Sequence, residues 1–135
     1  MAMEGPDECV RRFIAAHASW NSNAASRARK ACPGTAADDA AFALAEAEYD
    51  EMLSRLCAAT VVRQGISFGD RATHDPTRES ITEISESENR AVVRTRHVDP
   101  SDFVSKYEYH LVRESGEWRI ASLLYIDDDG AYECL

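Results

Sequence analysis

Seventeen of the twenty-one alanines in this chain precede residue 60, and most of its β-branched residues follow it. Alanine gives up no side-chain entropy in a helix, whereas β-branched side chains fit a pleated, half-buried surface. The two halves therefore favour different secondary structures. Helices followed by strands is the order of an α+β domain, with the helices packed on one face of an antiparallel sheet. At 135 residues the chain suits one domain, residues 1–135.

The first helix is expected over residues 6–22. Proline suits the first helical position, and Asp7 and Glu8 meet the positive end of the helix dipole. Val10, Phe13, Ile14, His17 and Trp20 form one apolar stripe. Asn21-Ser22-Asn23 weakens the helix, so residues 24–34, with Arg27, Arg29 and Lys30, read as a frayed extension ending at the Cys32-Pro33-Gly34 turn. A second helix is expected over residues 36–57, capped by Thr35, with Phe42, Ala45, Tyr49, Met52, Leu53 and Leu56 as its buried stripe.

Strands are expected within residues 60–135, in the runs Thr60–Phe68, Arg78–Ser87, Arg90–His97, Phe103–Glu114, Glu117–Ile126 and Ala131–Leu135. Glu88-Asn89 and Ser115-Gly116 read as hairpin turns. In the Glu117–Ile126 run, Trp118, Ile120, Ser122, Leu124 and Ile126 alternate with Arg119, Ala121, Leu123 and Tyr125. Neither set is wholly polar, which favours a strongly bent sheet enclosing the helices over a flat one.

A net charge of -9 disfavours nucleic acids and anionic membranes and favours a basic partner. Cys9, Cys32, Cys57 and Cys134 show no metal-ligand spacing and read as reduced thiols, with a Cys9–Cys57 contact between the helices as the alternative. Neither a metal nor a cofactor is expected. The first residues, Met1 to Glu8, carry neither a basic nor an apolar leader region, so the cytoplasm is the expected compartment.

No phosphate loop or HExxH motif occurs. His17 is the best single candidate for a general base, with Tyr49, Tyr107, Tyr109 and Tyr125 as residues that would line a pocket; a lone histidine on an apolar stripe is more often a core residue with one satisfied hydrogen bond. Glu108 and His110 share a strand face, as a dyad if it points inward and as solvated pairs if outward. His74 and His97 are expected in exposed loops. Asp127-Asp128-Asp129-Gly130 lacks the ligand spacing of a calcium loop and reads as a turn.

Phe13-Ile14-Ala15-Ala16-His17-Ala18-Ser19-Trp20, the alanine-rich second helix, and the close from Gly116-Glu117-Trp118-Arg119-Ile120 to Asp128-Asp129-Gly130-Ala131-Tyr132-Glu133-Cys134-Leu135 resemble the NTF2-like (cystatin-like) cone. Within that superfamily they resemble the NTF2-fold immunity proteins of bacterial polymorphic toxin systems. The resemblance implies two N-terminal helices in a bent antiparallel sheet, no catalysis, and tight binding of a cognate toxin whose active site or substrate path is blocked. An acidic chain suits a basic toxin such as a nuclease. Asp127, Asp128, Asp129 and Glu133, and a second series of Glu83, Glu86 and Glu88, are the candidate partner-binding residues. Two alternatives stand beside this: a small-molecule enzyme or binder of isomerase or dehydratase type using His17 and Tyr49, and a homodimer joined through Val92, Val98, Tyr107 and Tyr109.

Overall fold

The first half of the chain forms two helices, α1 over Pro6–Lys30 and α2 over Ala36–Leu56, in a computed structural model that describes residues 4–135. Met1–Met3, the start of the stretch read above for a leader, lie outside the described residues. α1 does not weaken at Asn21-Ser22-Asn23. The Asn21 side chain faces inward and bridges to the backbone of Gly69, donating to its carbonyl at 2.9 Å and accepting from its N–H at 3.1 Å. Ala24 and Ala25 are buried just beyond, and Arg27 pairs with Glu48 of α2. Tertiary contacts thus carry the helix past residues of poor intrinsic propensity.

α2 begins where Thr35 caps it, its hydroxyl accepting from the Asp38 N–H at 3.3 Å. Its stripe is buried from Ala45 onward, but Phe42 is 48% exposed and meets only the edge of the core through Phe68.

The second half is an antiparallel meander of β1 (Glu79–Glu86), β2 (Arg90–Val98), β3 (Val104–Glu114), β4 (Glu117–Asp127) and β5 (Gly130–Glu133), in that spatial order and not closed. The β3–β4 connection is Ser115-Gly116, both at positive φ (52° and 82°), as a two-residue hairpin turn that follows the twist of its strands requires. Residues 60–68, expected as a strand, form a loop. Arg63 ties this loop to α2 through Asp50 and Glu46, while the free edge of β4 is taken by Ala58, which donates to the Ile120 carbonyl, and by Cys134, which donates to that of Leu123.

Two bulges bend the sheet, one at Thr82 opposite the Thr95–Arg94 step and one at Ala121 opposite the Leu111–His110 step. The second corrects the alternation read from the sequence. Trp118 and Ile120 face the core, but the extra residue reverses the phase, so that Leu123 rather than Ser122 points inward next. The α1 stripe and the inner faces of β2, β3 and β4 close one core around Phe13, Val93, Tyr109, Leu111, Ile120 and Leu123. Among the described residues no helix is long and apolar enough to cross a membrane.

Candidate functional site

The bend of the sheet holds a polar cluster inside this core. Glu79, at the start of β1, has its carboxylate fully out of solvent and is met by three side chains. Thr95 donates to Oε2 at 2.6 Å, Tyr109 donates to the same oxygen at 2.7 Å, and His74 Nδ1 lies 2.7 Å from Oε1. The Tyr109 hydroxyl is also 3.0 Å from His74 Nδ1. Burial pushes the Glu79 carboxyl up, but hydrogen bonds from His74, Thr95 and Tyr109 and the charge of His74 outweigh it and hold its pKa below the ordinary value.

His17 packs edge-on against this cluster, its ring centroid 4.9 Å from that of His74, and lies 6.1 Å from that of Tyr49 on α2. Burial, reinforced by His74, lowers its pKa to about 3, and its Nδ1 has no partner among the described residues. Burial likewise raises Tyr49 to about 12. General acid–base groups work best with pKa values near the operating pH. His17 and Tyr49 are tuned away from that range, as core residues neutral at physiological pH.

His74 and His97 are not the exposed loop residues that their Asp-Pro neighbours suggested. His74 is 2% exposed because Glu79 and Tyr109 draw its ring inward from the loop, and His97 lies on the inner face of β2 in phase with Ala91, Val93 and Thr95. Glu79 and Thr95 were missed by motif reasoning. The inward phase of β2 is the signal that would have found Thr95, whereas only tertiary pairing brings Glu79 to it.

A cleft of about 440 Å³ opens between α1, the 70–78 loop and the β2–β3 connection. Asn21, Arg71, Asp75, Arg78, His97 and Tyr107 are among its walls, whereas His74, Glu79 and Tyr109 are not. The cluster thus sits behind the cleft rather than in it.

The outer face of the sheet carries the other candidates. Glu108 and His110 do meet, at 3.0 Å, but on this outer face, where Arg94 bridges Glu108 to Glu83. Glu86 faces Arg113 at 3.9 Å, and Arg113 donates to the carbonyl of Glu88. Glu133 accepts from Ser122 at 2.6 Å. Asp127 accepts from the backbone of Asp129 and Gly130, closing the β4–β5 turn and leaving Asp128 and Asp129 at its exposed tip. The structure therefore keeps the two acidic series apart, Glu83 and Glu86 facing arginines and the other series at a sheet corner where Asp128 and Asp129 are exposed. Of the four residues considered for a homodimer face, Tyr107 and Tyr109 point inward and are buried.

Two helices lodged in the bend of an open, five-stranded antiparallel meander define an α+β fold of the NTF2-like class. The chain belongs to the NTF2 fold immunity protein family, whose model matches residues 5–130. No curated protein and no solved structure matches it.

Proposed function

We propose that this chain, acting as one domain, binds a cognate bacterial polymorphic toxin in the cytoplasm of the producing cell and blocks its active site or substrate path. Membership of the immunity family carries this reading. The polar core supports it: Glu79, His74 and Tyr109 are buried and do not line the cleft. The exposed acids Asp127, Asp128 and Asp129 are the proposed contact for a basic surface such as that of a nuclease, with Glu133 beside them. Glu83 and Glu86 contribute less, because Arg94 and Arg113 already face their carboxylates, whereas the Glu88 carboxylate has no ion-pair partner among the described residues. The test is co-expression with the C-terminal domain of the protein encoded immediately upstream. Growth rescue and a co-purifying one-to-one complex are expected; rescue without a complex, or no rescue, would overturn the reading.

One observation favours a second reading, a small-molecule binder: the 440 Å³ cleft is lined in part by His97, whose Nε2 is buried without a partner among the described residues. Retention of a small molecule by the purified protein, lost in His97→Leu, would support that alternative.

A further inference from the structure

Arg96 of β2 and Lys106 of β3 are register partners on the outer face of the sheet. Both are exposed, and neither has an ion-pair or hydrogen-bond partner among the described residues. Like charges directly opposite each other in an antiparallel pair destabilise it. The neighbouring row shows the ordinary solution, with Arg94 opposite Glu108 and bonded to it at 3.1 Å. On a chain of net charge -9, with acids in plenty to compensate a cation, the uncompensated pair stands out.

The same row continues across the sheet. Lys106 pairs in register with Ile126 of β4, and Ile126 with Ala131 of β5, directly beside the Asp127–Gly130 turn. Adjacent strands lie about 4.8 Å apart, so the row places two cations, an apolar centre and the acidic turn within about 15 Å. A groove of about 460 Å³ lies along it, walled by Thr82, Arg94, Arg96, Lys106, Glu108 and Ile126. Among the described residues no helix covers this face, because both helices pack on the opposite side with the inward residues of β2 and β3.

We propose that Arg96 and Lys106 form the receiving site for a carboxylate-bearing segment of the toxin, an acidic side chain followed by an apolar one that seats against Ile126. This rests on the reading of the chain as a toxin-binding protein. Together with the acidic turn, it gives the surface a charge order of basic, apolar, acidic. A partner of complementary order is held in one register and one orientation, which a uniformly acidic surface would not achieve.

The test uses Lys106→Glu, which places opposite charges in register with Arg96, and Arg90→Glu, which makes the same charge change on the same face at the far end of β2. Lys106→Glu is expected to raise the urea midpoint of the free protein while weakening binding to the upstream-encoded toxin domain by about tenfold or more; Arg90→Glu changes binding less than about threefold. If the wild type binds the toxin domain and Lys106→Glu binds as tightly, the site is overturned and the immunity reading stands. If the wild type binds no toxin domain, the immunity reading falls, and a titration of the ¹⁵N-labelled chain with a hexaglutamate peptide decides the site alone. Shifts confined to the amides of Arg96, Lys106, Ile126 and their neighbours, and lost in Lys106→Glu, support an acid-receiving site. No shifts, or shifts spread equally to Arg55 and Arg90, overturn it.

Discussion

The Tyr109 hydroxyl donates to Glu79 Oε2 at 2.7 Å with neither side chain in contact with solvent. A carboxylate in that position is tolerable only while its donors are present, because burial of an uncompensated charge is costly. Tyr109→Phe removes one donor and should cost about 1–3 kcal/mol, whereas Glu79→Ala leaves Thr95, Tyr109 and His74 all without their acceptor and should cost about 3–5 kcal/mol. Urea denaturation of the two variants gives both numbers. Equal, small losses would mean that water reaches the cluster and shares the hydrogen bonding.

Acid should unfold the protein in two overlapping stages. His17 has a folded pKa of about 3 against an ordinary value of 6.5, so only the unfolded chain takes up a proton between those values. Its contribution is complete above pH 6.5 and is lost as the pH falls, at up to about 1.4 kcal/mol per pH unit. Glu79 is held below its ordinary value of 4.5, so its contribution is present above that pH and disappears as the pH drops through the folded value. Urea midpoints between pH 7 and 3.5 should fall gently at first and steeply below 4.5. In His17→Leu the first stage should flatten and the second remain.

The helices and hairpins were legible because their signals are local. The stripe from Val10 to Trp20 needs only helical spacing, and Ser115-Gly116 needs only a two-residue turn. What escaped depends on contacts across the chain. Asn21 reads as a weak helix residue until Gly69 is placed against it, and residues 60–68 read as a strand until Arg63 is seen to be held by α2. The Ala121 bulge leaves no residue signature of its own, yet it exchanges the inner and outer faces of half of β4. The polar core was legible only in part: His17 lay on a stripe, but Asp-Pro turns next to His74 and His97 suggested exposure, and the pull of Glu79 and the phase of β2 decided otherwise.

The thiols should divide three to one. Burial raises Cys9 to about 11 and Cys57 and Cys134 to about 12, and Cys9 and Cys134 each donate to a backbone carbonyl at 3.5 Å. Thiolate is the reactive form, so these three should resist alkylation at pH 8. Cys32 is exposed in the connection between the helices and should label alone. Mass spectrometry after brief iodoacetamide treatment should find one adduct on the folded protein and four in denaturant. A second rapid adduct on Cys134, the least buried of the three, would mean that the C-terminal tail opens from β4.

Charge at the β4–β5 turn should govern how fast the toxin is captured. Asp127 is needed for the turn, since it accepts from the N–H groups of Asp129 and Gly130 at 2.8 and 3.1 Å, and its replacement would confuse folding with binding. Asp128 and Asp129 are free of that duty, so Asp128→Lys with Asp129→Lys changes the local charge by four without removing a bond the fold uses. Against a basic toxin domain, association at low salt should slow by about tenfold, with the dissociation rate changed much less and the salt dependence of association flattened. Stopped-flow association at two ionic strengths measures this directly. An unchanged association rate would remove the turn from the interface, and an accelerated one would mean that the toxin presents an acidic surface there.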